Sequence, residues 1–157
     1  MNIQFDTFEM IETFNCSVDK LFNAFTDPVI KREWYAESAH TATHDTNVYS
    51  LDAKVGGKEI FQFTLNEKTP VPGLKIEMES ECVVRVDNQL LIFQSRMASN
   101  NTNLSITNET FQFYAEHGKA VIKLVQQGTY LEGADGSQQR QQGYQQLFGS
   151  LRQYIGD

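Results

Sequence analysis

Near the C-terminus, Tyr144, Leu147, Phe148, Leu151, Tyr154 and Ile155 recur at intervals of three and four residues. That spacing places them on one face of a helix running from about Ser137 to Ile155. The other face is Gln138, Gln142, Gln145, Gln146, Arg152 and Gln153. Ser137, after the turn-forming Ala134-Asp135-Gly136, is the expected N-cap. A helix this short does not persist alone in water, so its apolar face must lie against another element. Each large side chain buried there contributes at most roughly 1.5–3 kcal/mol. The only partner of sufficient size in the chain is a set of alternating runs, and these read as strands.

The cleanest run sets Leu74, Ile76, Met78, Ser80, Cys82, Val84 and Val86 against Lys75, Glu77, Glu79, Glu81 and Arg85. It predicts a long strand wet on one side. Further strands are expected at Tyr49–Val55, Phe61–Leu65, Leu90–Met97, Leu104–Tyr114 and Lys119–Leu131. Gly56-Gly57, Asp87-Asn88 and Glu116-His117-Gly118 supply turns. Glu37–Asn47, Asn66–Gly73 and Ala98–Asn103 read as loops. At the N-terminus, Phe5–Phe14 alternates with one breach, which suggests a bulge. Ser17 and Asp27-Pro28 then start two short helices. Cys16 and Leu21 stand at staple spacing, and Ile30 and Trp34 are expected to be buried. One strand, two short helices, six strands and one long helix form an α+β chain whose meander curls around the terminal helix.

The 157 residues suit one domain spanning 1–157. A net charge of −7 argues against nucleic acid and against an anionic membrane as partners. No apolar run reaches the length of a membrane span, and Met1–Asp6 has no signal-peptide pattern. Two cysteines, Cys16 and Cys82, make no disulfide framework. A cytoplasmic protein is the expectation.

Reactive constellations are sparse. His40 and His44, before Asp45, have a spacing that suits a metal on one helical turn, but no third ligand is placed and no metal site is assigned. His117 falls in a turn, and Glu77, Glu79 and Glu81 read as a solvated strand face. No nucleophile elbow, phosphate loop or dinucleotide fingerprint is present, and no cofactor is expected. Gly143 on the apolar face of the last helix costs about 1 kcal/mol relative to Ala. It is tolerated to leave room for a ligand, to let a strand approach, or because it stands in a frayed first turn. Ser80, Gln94, Arg96, Gln112 and Gln126 fall on strands, and any that point inward need partners.

Three patches carry a resemblance: Val18-Asp19-Lys20-Leu21-Phe22-Asn23-Ala24-Phe25-Thr26-Asp27-Pro28 followed by Trp34, Asp52-Ala53-Lys54-Val55-Gly56-Gly57, and Gly143-Tyr144 followed by Leu147, Leu151 and Tyr154. In this order the chain resembles the START-like, or helix-grip, superfamily, and within it the family related to the activator of heat shock protein 90 ATPase. The resemblance implies a curved sheet of six to seven strands around the long helix, with a cavity between them for a small hydrophobic or aromatic molecule. The candidate lining is Trp34, Phe61, Phe63, Phe93, Phe111, Phe113, Gly143, Tyr144 and Leu147. Two alternatives stand beside ligand binding: a co-chaperone module stimulating a chaperone ATPase, and a cyclase- or hydrolase-type enzyme using the same cavity. A homodimer through a strand edge or the loop Thr69–Leu74 is a further expectation.

Overall fold

A computed structural model describes residues 1–38 and 43–157. It contains strand β1 (Gln4–Phe14), helices α1 (Val18–Thr26) and α2 (Pro28–Lys31), and a π-helical segment (Arg32–Ser38). Strands β2 (His44–Leu51), β3 (Lys58–Leu65), β4 (Lys75–Val86), β5 (Leu90–Ser99), β6 (Thr102–Glu116) and β7 (Lys119–Tyr130) follow, and then helix α3 (Ser137–Ile155). The seven strands form one antiparallel sheet in the order β1-β7-β6-β5-β4-β3-β2. The meander is therefore β2 to β7, and β1 closes onto the last strand. The α+β meander around the terminal helix expected from the periodicities, and the helix-grip arrangement implied by the resemblance, are what is observed.

Local chemistry explains the element starts. The Ser17 hydroxyl accepts the Lys20 N–H, and Asp27 Oδ1 accepts the N–H groups of Val29 and Ile30, with Pro28 in the first helical position. Helix α3 starts differently from the expected Ser137 cap. Gly136, at φ 90°, holds the cap position without a side-chain bond. Ser137 is the first helical residue, and its hydroxyl donates to Asp6 on β1. At the other end Gly156 adopts a left-handed φ of 86° and its N–H bonds the Arg152 carbonyl, closing the helix. Arg152 ties this end to β1, reaching the Thr13 carbonyl at 2.6 Å and Glu12 Oε2 at 2.6 Å. The breach in β1 is this Glu12. The strand pairs with β7 without a register shift, so no bulge is present there.

Bulges occur elsewhere and change which residues face inward. In β4 the register shifts between Cys82 and Val84, leaving Val83 as the extra residue. Beyond it the alternation inverts. Arg85, expected outside, pairs with inward Leu91, donates to the Ala53 carbonyl at 3.1 Å and lies over the Phe22 ring. Val86, expected inside, is exposed. The expected loop Ala98–Asn103 is instead a hairpin turn of only Asn100 and Asn101, both at positive φ, flanked by the pair Ser99 and Thr102. Strand β2 begins earlier than expected, at His44, and ends at Leu51, while Ala53 is buried outside the strand. The β2–β3 connection is pinned to β4, with Gly56 N–H on the Cys82 carbonyl and Cys82 N–H on the Gly57 carbonyl. A Cβ at Gly57 would fall 2.2 Å from the Asp52 carbonyl oxygen, so that close approach requires glycine.

The core lies between the concave side of the sheet and the helices. Phe14, Leu21, Phe25, Trp34, Leu91, Ile122, Leu124, Phe148 and Leu151 are among its most buried members. Ile30, expected to be buried, is only partly so. Its neighbour Lys31 is buried in its place.

Candidate functional site

Helix α3 does not fill the concave face completely. A cavity of about 160 Å³ lies between its first turns and strands β3 to β7. Its apolar wall is Phe61, Phe63, Met78, Met97 and Leu147. Gly143 forms part of the roof, and a Cβ built there would meet no atom within 4 Å. Close contact with a strand is therefore not the reason for this glycine. Asp135, Gln139 and Arg140 stand at the open end. A second chamber of about 10 Å³, the space of one water molecule, lies deeper. Tyr35, Met78, Glu109 and Tyr144 line both. Larger depressions, of about 570 and 280 Å³, lie on the outer side of the sheet and are wide open to solvent.

The nine aromatic, aliphatic and glycine positions singled out from the sequence divide as follows. Phe61, Phe63, Gly143, Tyr144 and Leu147 line the larger cavity. Trp34, Phe93 and Phe111 line the deeper chamber, as does Tyr144. Phe113 lines neither; it packs edge-on against Phe22 and Phe25 in the core. Trp34 is fixed by a 2.8 Å bond from its Nε1 to the Ala24 carbonyl.

Polar groups that the sequence reading did not select complete the site. Lys31, the last residue of α2, and Trp34 and Tyr35, in the π-helical segment that follows, are all buried. Lys31 Nζ lies 2.7 Å from Glu59 Oε2, with both side chains under a tenth exposed. It also stands 4.7 Å from the centre of the Tyr35 ring. The Tyr49 hydroxyl donates to the same carboxylate at 2.5 Å. Burial, with the Glu59 charge added, holds the Tyr49 and Tyr35 hydroxyls well above the ordinary tyrosine range.

Glu109 on β6 is the second inward carboxyl. Its Oε2 accepts the Tyr144 hydroxyl at 2.8 Å, and its Oε1 accepts Gln126 Nε2 at 3.2 Å and the Thr107 hydroxyl at 3.4 Å. The Tyr130 hydroxyl in turn donates to Gln126 Oε1 at 3.1 Å. Tyr130 can do this because Gly128 beneath it has no side chain; a Cβ there would meet the ring at 2.5 Å. Burial raises the Glu109 pKa above the usual carboxylate value, and the Tyr144 hydrogen bond and Lys31 charge oppose the rise. Arg140 is paired with Asp135 at 2.7 Å and donates to Ser105 Oγ at 2.8 Å. Burial works against its charge, and Asp135 more than offsets that, so the guanidinium is held above its ordinary value.

Both carboxyls were visible in the alternation. Glu59 shares its strand face with Phe61 and Phe63, and Glu109 shares its face with Phe111 and Phe113. Of the polar strand residues noted from the sequence, Ser80 and Gln126 point inward, while Gln94 and Gln112 are exposed. Arg96 lies on the outer side with Glu79 and Asn103. Among the described residues no cluster of three metal-ligating side chains occurs. His40 lies outside the described residues. His44 stacks on Phe63 at 4.3 Å, and burial holds its pKa down to about 4.

A curved sheet gripping a long terminal helix, with a polar-ended cavity between them, defines a helix-grip protein. The chain belongs to the family described as Activator of Hsp90 ATPase homolog 1-like protein, whose sequence pattern matches residues 15–156. It is similar in structure to the Mll3558 protein of Rhizobium loti, with 23% identity, TM-score 0.84 and coverage of 98% of this chain and 99% of that one. A protein of Rhizobium leguminosarum gives 20% identity and TM-score 0.82 over 99% of this chain and 97% of that one. DynU16, of the dynemicin biosynthetic locus, gives 14% identity and TM-score 0.62 over 96% of this chain and 47% of that one. At these identities the likeness concerns the fold. No curated protein matches the chain. Among the described residues no helix is long and apolar enough to cross a membrane.

Proposed function

We propose that this protein binds a small, largely apolar molecule of about one aromatic ring in the cavity beneath α3. The observation that carries this is the cavity of about 160 Å³ under Gly143. Its volume narrows the ligand. A space near 150 Å³ holds a benzene-sized molecule, whereas drug-sized ligands occupy roughly 300 Å³ or more. Lipids and multi-ring polyketides are therefore poor candidates unless most of the molecule projects past Asp135 and Gln139. The wall chemistry suits a ring: Phe61, Phe63, Tyr35 and Tyr144 offer edges and faces, and Met78 and Met97 adapt their shape.

The test is a thermal-shift survey of single-ring aromatics against long-chain lipids, run on the native protein and on Gly143→Leu. Ring-sized compounds should raise the Tm of the native protein, and Gly143→Leu, whose side chain occupies the space, should abolish the shift. Shifts that persist undiminished in Gly143→Leu would place the binding elsewhere and refute the reading.

One observation favours a second reading, an acid–base enzyme in the same cavity. Such chemistry needs an inward titratable group, and Glu109 is one. Turnover of a bound ring compound that disappears in Glu109→Gln would support it. The co-chaperone reading rests on the family's description alone.

A further inference from the structure

The charges that line the two chambers do not cancel. Lys31 is matched by Glu59 and Arg140 by Asp135, each at 2.7 Å. Glu109 remains. Its hydrogen-bond partners are three neutral groups, Tyr144, Gln126 and Thr107. Among the described residues no lysine or arginine forms an ion pair with it. A carboxylate offers about four acceptor positions. Two on Oε1 and one on Oε2 are occupied, so one position on Oε2 remains, on a side chain that lines both chambers. A buried carboxylate with no cationic partner is costly unless a proton or a cation joins it.

Building on the ring-sized cavity, we propose that its ligand carries a protonated amine or a comparable cationic donor, and that this group completes the Glu109 site while the ring lies against Phe61, Phe63 and Leu147. The empty protein and the complex then differ in how Glu109 is neutralised. In the empty protein burial favours the protonated carboxyl; in the complex the ammonium favours the carboxylate. Binding therefore releases a proton over the pH range in which empty Glu109 is protonated, and affinity rises with pH across that range until the ligand amine itself deprotonates. The charged groups that face Glu109 are Lys31 from α2, Glu59 from β3 and Arg140 from α3; the Tyr144 and Tyr35 hydroxyls stay neutral throughout. Lys31 and Arg140 do not substitute for the ligand cation, because each is already held by its own carboxylate.

The experiment is calorimetric titration with benzylamine, benzyl alcohol and benzoate, three probes of one shape and different charge. It uses the native protein, Glu109→Gln and Gly143→Leu, in two buffers of different ionisation enthalpy. The expected result is benzylamine binding roughly tenfold or more tighter than benzyl alcohol, a preference of the size a charge-assisted bond gives, with proton release to the buffer. Glu109→Gln should lose the preference and the proton release while still binding benzyl alcohol, which also shows that the variant is folded. Equal affinities for the three probes, or tighter benzoate, with all binding lost in Gly143→Leu, would overturn the charge preference and leave the cavity reading intact. No binding of any probe by the native protein would overturn both.

Discussion

The Lys31–Glu59 pair shows how a buried charge is retained at the scale of single residues. With both side chains under a tenth exposed, the pair is tolerated because a short ion pair, the Tyr49 hydroxyl and the Tyr35 ring together replace the lost water. Removing one partner leaves the other charge uncompensated. Lys31→Met should therefore lower the unfolding free energy by about 3–5 kcal/mol, and the double variant Lys31→Met, Glu59→Gln should recover a substantial part. Urea denaturation of the single and double variants checks this. His44 provides a second residue-scale prediction. Its folded pKa is depressed, from an ordinary 6.5 to about 4, chiefly by burial. The unfolded chain then takes up a proton that the folded one refuses, so stability should fall as pH drops from about 6.5 toward 4 and level off below, by no more than about 3 kcal/mol. His44→Phe should flatten that part of the stability-against-pH curve; an unchanged slope would contradict the assignment.

Among the elements, α3 carries most of the functional argument. Its buried face is Leu147, Phe148 and Leu151, flanked by the partly buried Tyr144, Tyr154 and Ile155, as the three-and-four spacing required. Gly143 interrupts that face where the cavity lies. Gly143→Ala should stabilise the protein by up to about 1 kcal/mol, because alanine favours the helix and its Cβ meets no atom within 4 Å. Chemical denaturation showing a loss of similar size would mean that the space is not open. Strand β4 illustrates what periodicity hides. Its alternation identified the strand, but one extra residue at Val83 inverted the facing of everything after it and brought Arg85 onto Phe22. A period-two pattern carries no mark of where a bulge falls, since the run of valines there reads equally well in either phase.

Across the whole molecule, the order of elements and the grip of sheet on helix could be read from the sequence because they follow from apolar spacing, which is local information. The polar interior was less accessible. Glu59 and Glu109 sit two residues before phenylalanines on the same strand faces, so their inward direction was implicit in the alternation. Their partners were not. Lys31, Tyr144 and Gln126 come from three separate elements, α2, α3 and β7, and only the folded sheet and helices bring them together. The cavity itself is a residual volume, set by how far α3 stands from the strands, and no single stretch of sequence determines it.

The claim on which the functional account rests is that this residual volume is real, apolar-walled and ring-sized. A crystal structure of the native protein soaked with phenol addresses it most directly. The account predicts one phenol molecule beneath Gly143, its ring against Phe61, Phe63 and Leu147, with α3 and the strands unmoved. A space closed by side chains of α3, or phenol found only on the outer side of the sheet, would contradict it.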